Sequence, residues 1–131
     1  MSDETSIREI VQYWMEKARE SLKSARSEQS AGRLTFAINR SYYACFYSAT
    51  AVLMSKGKRF KKHTGVRSGV RTILVNEGMV SSSWGKFYNR IFESRQRGDY
   101  LGLVDFTPEE AEEVISGSEK FVALMADLIA D

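Results

Sequence analysis

The chain has 131 residues, of which 43% are hydrophobic and 27% are charged, and its formal net charge is +2 at pH 7. A chain of this size suits one domain with its own hydrophobic core, so we expect residues 1–131 to form a single domain. The composition excludes a largely disordered protein, and so small a net charge does not by itself require nucleic acid or an acidic surface as a partner.

The first predicted helix runs from about Thr5 to Ser30, where apolar residues recur at helical spacing and charged residues fill the other faces. Gly32 supplies a helix-ending glycine. A second helix is predicted from Leu34 to Lys56, ending at Gly57. Its apolar surface runs most of the way around, so we expect this to be a buried central helix with others packed on several sides.

One face of the central helix carries residues that have two interpretations. Arg40 either pairs with an internal acid, or it converges with the aromatic residues near it and with Arg95. The second arrangement would give a cationic, aromatic cleft of the kind that accepts nucleotides or single-stranded RNA, formed by Arg40, Tyr43, Tyr47 and Arg95. Otherwise the tyrosine-rich stretch is core or a dimer seam.

The segment between the second and third helices is basic, with no acidic residue from Lys56 to Arg71. It is either a solvated loop and helix face or a phosphate-binding patch, whose affinity would fall steeply with salt. Thr64 is the predicted N-cap of a third helix that ends at Gly78. His63 either packs on the bundle at the start of this helix or, if it reaches Arg95 across the fold or across a dimer, has a catalytic role.

A fourth helix is predicted to start within Ser81–Ser83 and to end at Gly98. One stripe of this helix holds Trp84, Tyr88, Ile91 and Arg95. After a connector, the segment Thr107–Glu110 has threonine at the N-cap, proline at the first helical position and glutamate at the third. This is a capping box, and it predicts the start of a fifth helix.

The remaining signals concern location and ligands. The single cysteine, Cys45, lies in an apolar helix and fits a small buried residue in a reducing cytoplasm. The polar N-terminus and the lack of an apolar run of about 20 residues indicate neither secretion nor membrane insertion. His63 has no ligand-spaced partners, and there is no glycine-rich phosphate loop, so we predict no metal site and no cofactor.

Taken in order, three segments resemble a HEPN domain, and the resemblance covers nearly the whole chain. They are the central Asn39–Tyr47 stretch, the Lys62–Val66 stretch and the Arg95–Tyr100 stretch. The chain is most similar to a small stand-alone bacterial and archaeal branch whose fourth helix ends in Arg-x-x-x-Asp-Tyr. The resemblance implies an all-α, up-and-down bundle of four to five helices that forms a homodimer. It also implies a toxin–antitoxin pairing with a minimal nucleotidyltransferase.

Many HEPN proteins are metal-independent ribonucleases whose signature is an arginine followed four to six residues later by a histidine. This chain departs from that signature, because residues 96–101 after Arg95 contain no histidine. Histidine accepts a proton near neutral pH because its unperturbed pKa is about 6.5. Asp99 would be a weaker base, with an unperturbed pKa of roughly 3.9.

Two interpretations of the Arg95 region are therefore open. Arg95 and Asp99, at i and i+4, either form a helix-end salt bridge or serve as catalytic residues of a variant nucleic-acid cleft. In the second case Arg95 and Arg97 hold phosphate. Tyr100 would stack on a base or accept a nucleotidyl group, as tyrosines near this motif do in some related toxins.

Our leading hypothesis is a cytoplasmic, homodimeric HEPN protein that is the toxin-like component or the partner of a nucleotidyltransferase and acts on RNA. The absent histidine supports an alternative, a non-catalytic module that binds a partner protein. A third hypothesis is a small-nucleotide binder that uses the cleft around Arg40, Tyr43 and Tyr47.

Overall fold

The computed structural model describes residues 3–97 and 105–130. Over these ranges the secondary structure is entirely helical and comprises five helices. They are α1 (Asp3–Ser30), α2 (Leu34–Ser55), α3 (His63–Gly69), which continues as a π-helical stretch (Val70–Val75), α4 (Ser82–Gln96) and α5 (Pro108–Ala130). The all-α prediction and the helical-bundle architecture are confirmed.

Helix α2 lies at the centre and contacts α1, α3, α4 and α5. The turn after α1 is only three residues long, so α1 and α2 are antiparallel neighbours. The core face of α2 is completely shielded from solvent and consists mainly of apolar residues: Ile38, Tyr42, Cys45, Ala49, Val52 and Leu53. Cys45 is buried as predicted, and burial raises its pKa to about 12.

As predicted, other helices contact α2 from several sides, but one stripe of α2 stays partly exposed. Phe36 is 59% exposed and Arg40 is exposed, while Tyr43 and Tyr47 on the same stripe are half-buried. The reason is geometric, because α1, α3, α4 and α5 all contact α2 but leave this stripe partly uncovered. The apolar and aromatic residues of this stripe therefore lie on an outward face of α2.

The ends of the helices follow local sequence signals closely. Thr107 and Glu110 form the predicted capping box: the Thr107 N–H donates to Glu110 Oε1 and the Glu110 N–H donates to Thr107 Oγ1, both at 3.1 Å. Gly32 and Gly57, which follow α1 and α2, both have φ of 79°, a left-handed conformation that favours glycine.

The third helix starts earlier than predicted. The carbonyl of Lys62 accepts the N–H groups of Gly65 and Val66 at 3.0 and 3.2 Å, so the N-cap is Lys62 and not Thr64. His63 thereby becomes the first helical residue. The helix then widens, since the Asn76 N–H donates to the carbonyl five residues earlier. Its helical residues end at Val75, and Gly78, the predicted terminating glycine, has φ of 79° like Gly32 and Gly57.

Arg26 joins the outer ends of α1 and α5. Its guanidinium donates to Glu119 at 2.7 and 3.1 Å and to Glu112 at 2.9 and 3.1 Å. Gln29 and Ser116 also donate to Glu112. The hydrogen bond from Arg26, followed by those from Ser116 and Gln29, lowers the pKa of Glu112 from 4.5 to about 2.

This network predicts an acid-dependent part of the stability. The native-state pKa of Glu112 is depressed, so its contribution is complete above pH 4.5 and is lost as the pH falls towards about 2. We expect Glu112→Gln to lower the free energy of unfolding at pH 7 and to weaken its decline between those two pH values. Urea denaturation across this range measures both effects.

The matched control is Glu9→Gln, because Glu9 is exposed on α1 and forms no ion pair with any residue in the described ranges. It should leave the acid dependence of unfolding unchanged. If the two variants show the same acid dependence, the network around Glu112 does not contribute to stability.

Candidate functional site

Arg95 of α4 lies over two tyrosines of α2. Its guanidinium carbon is 5.0 Å from the ring centre of Tyr42 and 5.6 Å from that of Tyr43, within the range of a cation–π interaction. Arg95 follows Tyr88 and Ile91 along the buried face of α4, so its side chain emerges where that face reaches the end of the helix. The structure thus brings Arg95 and Tyr43 together.

His63 joins this group from the start of α3. Its Nδ1 is 2.7 Å from Tyr42 Oη. Its ring stacks on Phe46 with centroids 4.1 Å apart and an angle of 4° between the planes, and it meets the ring of Tyr43 at 89°. We call His63, Tyr42, Tyr43, Phe46 and Arg95 the aromatic–arginine cluster. His63 is held on three sides by side chains of α2.

The surroundings of this cluster decide the protonation of its members. Partial burial and the positive charge of Arg95 both lower the pKa of His63 from 6.5, so the imidazole is neutral at pH 7. Burial raises the pKa of Tyr42 to about 12, although Arg95 opposes the rise, so the phenol keeps its proton. A neutral imidazole therefore shares a hydrogen bond with a neutral phenol.

These charges predict a measurable titration. His63 is the only histidine, so its imidazole proton signals in NMR can be assigned without ambiguity in protein that carries no histidine tag. We expect its pKa to lie below 6.5 and to rise towards that value in Arg95→Ala, because the neighbouring positive charge is removed. Arg90→Ala is the control, since Arg90 pairs with Glu113 on α5 at 2.8 Å. A wild-type pKa of 6.5 or higher would contradict the arrangement.

The other residues of the predicted site lie in different places. Tyr47 is 5.7 Å from the ring of Tyr43, but it stacks on Trp14 of α1 at 5.4 Å and so lies at the edge of the cluster. Arg40 is exposed one turn before Tyr43. The internal acid that we considered for Arg40 is not found among residues 3–97 and 105–130. Asp99 and Tyr100 lie outside the described residues.

Arg97 is separated from Arg95 although only one residue lies between them. Its guanidinium carbon is 5.4 Å from the ring centre of Phe106, and its Nη2 is 3.9 Å from Glu110 of α5. Residues two apart on a helix point about 200° apart, so the two arginines face different neighbours. Arg97 borders a cleft of about 330 Å³ between α4 and α5, away from the tyrosines of the cluster.

The basic segment leads directly to the cluster. Residues 55–62 are exposed, and Lys61 and Lys62 immediately precede His63. Phe60 folds back over α3 so closely that a Cβ on Gly65 would lie 3.1 Å from its ring. Arg67, also in this basic segment, does not face solvent in the same way, because its guanidinium stacks over the ring of Phe92 at 4.4 Å. Two exposed lysines therefore directly precede His63 in the chain, whereas Arg67 packs on α4.

Comparison with known proteins identifies the family of the chain. The sequence profile of the HEPN domain matches residues 11–128. The chain belongs to the HEPN domain family. It is 43% identical to a protein named "UPF0332 protein" from Thermotoga maritima over 122 residues, which cover 93% of this chain and 92% of that one. It is 36% identical to a Methanocaldococcus jannaschii protein named "Putative toxin MJ0605" over 116 residues, which cover 88% and 86% of the two chains.

A second protein of that archaeon, "Putative toxin MJ0142", is 28% identical over 108 residues, which cover 82% of this chain and 74% of the relative. No group of three or more histidine, cysteine, aspartate or glutamate residues in the described part of this HEPN chain is placed to hold a metal ion. None of its described helices combines the length and the apolar character that crossing a membrane requires.

Sequence reasoning did not predict that Tyr42 and Phe46 belong to the site of this HEPN protein. It predicts core or a dimer seam for both, and Tyr42 is indeed fully buried while Phe46 packs against the main core. For His63 it predicts packing on the bundle at the helix start, which the structure confirms, and it leaves a contact with Arg95 open. A signal was available, because Tyr42, His63 and Arg95 each fall in one of the three HEPN-like segments.

Proposed function

We propose that this chain is a toxin-like HEPN protein that acts on RNA at the aromatic–arginine cluster. The observation that carries the proposal is the position of Arg95, whose guanidinium lies over Tyr42 and Tyr43 beside a neutral imidazole. The relatives named as toxins, one of them 36% identical, support the toxin-like part.

The chemistry of the cluster suits a ribonucleotide. The guanidinium of Arg95 offers planar N–H donors for phosphate oxygens. The half-buried rings of Tyr43 and Tyr47 offer surfaces on which bases stack. Lys61 and Lys62 add exposed positive charge next to the cluster, so RNA affinity should fall as salt concentration rises.

The proposal includes two protein partners. One is a second copy of the chain, supported by the partly apolar outward face of α2 with Phe36 at 59% exposure. The other is a minimal nucleotidyltransferase that acts as the antitoxin. Asp99 and Tyr100 stay predictions for this site, with Asp99 as a catalytic residue and Tyr100 as a stacking or nucleotidyl-accepting residue. Arg40 stays a predicted RNA contact near the site, and Arg97 stays one although it borders the separate cleft between α4 and α5.

The test uses the wild-type protein with one sequence prepared both as RNA and as DNA. In buffer with a chelator we expect the RNA to be bound and cleaved and the DNA to remain intact, because cleavage through the ribose needs a 2′-hydroxyl. A folded protein that neither binds nor cleaves RNA would contradict the proposal. Capture of a nucleotidyltransferase without action on RNA would favour the interaction module instead.

A further inference from the structure

The arginine-histidine signature of HEPN ribonucleases is incomplete along this chain, yet the structure places an imidazole beside Arg95 by another route. We propose that His63, from the start of α3, is the general base that takes the proton of the ribose 2′-hydroxyl, and that Tyr42 is a positioning residue for its ring. This inference rests on the proposed action on RNA and identifies the group that performs it.

The first argument is that the ring of His63 is held in one orientation. Phe46 lies parallel to one face at 4.1 Å, Tyr43 meets the ring edge-on, and Tyr42 Oη occupies the Nδ1 side at 2.7 Å. The opposite nitrogen, Nε2, is not engaged by these three contacts. When Nδ1–H donates to Tyr42 Oη, Nε2 carries the lone pair, as a general base requires.

The second argument is electrostatic. The titratable and charged groups around His63 are Tyr42 and Tyr43 on α2, Arg95 on α4, and Lys61 and Lys62 beside it in the chain. Partial burial and the positive charge of Arg95 favour the neutral imidazole, so the base is unprotonated at pH 7. Arg95 and the two exposed lysines attract the phosphate next to the 2′-hydroxyl, which brings the proton donor to the base.

The chemical step is a transesterification. His63 Nε2 takes the 2′-hydroxyl proton as the 2′ oxygen forms a bond to phosphorus. The bond between phosphorus and the 5′ oxygen breaks, its electron pair stays on that oxygen, and the oxygen takes a proton from solvent. The imidazolium returns its proton to solvent, so protons balance. Arg95 donates hydrogen bonds to the non-bridging phosphate oxygens, where negative charge accumulates. The products carry a 2′,3′-cyclic phosphate and a 5′-hydroxyl.

The test compares His63→Asn with wild type. The amide of asparagine can bond Tyr42 near the Nδ1 position but has no group at Nε2. We expect RNA binding within about threefold of wild type and cleavage slower by about 100-fold or more. Tyr42→Phe should slow cleavage less, by about tenfold, and should shift its pH profile. Thr64→Ala, an exposed neighbour on α3, is the control and should cleave like wild type.

A second measurement distinguishes loss of the base from a folding defect. Imidazole added to His63→Ala should restore part of the cleavage, whereas a purely structural role of His63 would give no rescue. If His63→Asn cleaves within threefold of wild type while Arg95→Ala is inactive, the assignment of His63 as base is wrong and the proposed function stands. If wild-type protein neither binds nor cleaves RNA, the proposed function and the base assignment are both wrong.

Discussion

Arg95→Ala is expected to slow RNA cleavage by about 100- to 1,000-fold, the usual loss when a donor to developing negative charge is removed. Arg95 is half-buried against Tyr42 and Tyr43, which hold the guanidinium in place. Arg95→Lys should recover only part of the rate, since an ammonium group cannot make a planar, two-pronged contact with phosphate. Single-turnover cleavage of labelled RNA measures these effects.

The control for charge removal is Arg90→Ala on the same helix. Arg90 is half-exposed and pairs with Glu113, so its loss should leave RNA cleavage unchanged. An equal loss of cleavage in both variants would indicate a general need for positive charge on α4. Full activity of Arg95→Ala would show that Arg95 does not take part in RNA cleavage.

The pH dependence separates the effect of Arg95 on phosphate from its effect on His63. Arg95 lowers the pKa of His63, so the residual activity of Arg95→Ala should rise with pH at a higher midpoint than wild-type activity does. Loss of a phosphate contact alone would lower the rate without moving that midpoint. Rates measured from pH 5 to 8 distinguish the two contributions.

Phe121→Ala is expected to lower the free energy of unfolding by about 3–5 kcal/mol. Phe121 of α5 is completely buried, and its ring lies 5.7 Å from that of Tyr88 and 5.9 Å from that of Trp84 on α4. Truncation would leave a cavity between these helices that rigid neighbours fill poorly. Because domains of this kind have about 5–15 kcal/mol of stability, the loss should be obvious in urea or thermal denaturation.

Phe36→Ala is the matched control, because it removes the same atoms from the outward face of α2. Phe36 is 59% exposed, so we expect less than about 1 kcal/mol of destabilisation. Equal losses from Phe36→Ala and Phe121→Ala would mean that the outward face of α2 is covered in solution, as the proposed second copy of the chain would do.

Sequence reasoning was most successful at the ends of helices. The capping box at Thr107 and Glu110 and the glycines after α1 and α2 involve groups only a few residues apart along the chain. Such signals are local and work before any tertiary contact forms. Where a helix end depended on a less specific residue, at Thr64, the predicted N-cap missed by two residues, and the helical residues before Gly78 end three residues earlier, at Val75.

The face that α2 buries was harder to predict. Phe36, Tyr43 and Tyr47 are as apolar or aromatic as the buried Tyr42, so hydropathy cannot separate the two faces. What separates them is the position of the neighbouring helices, which depends on the packing of all five. The same holds at the site, where Arg95 and Arg97 share a helix end but contact different partners.

The amino-acid sequence alone was enough to establish an all-helical chain, the approximate extent of its helices and its resemblance to HEPN domains. These depend on helical periodicity, caps and short motifs, all of which are local. Only the tertiary structure showed that His63 lies beside Arg95, although 32 positions separate them in the sequence. That proximity arises because α3 and α4 both pack on α2, and side-chain packing between distant segments leaves no local pattern in the sequence.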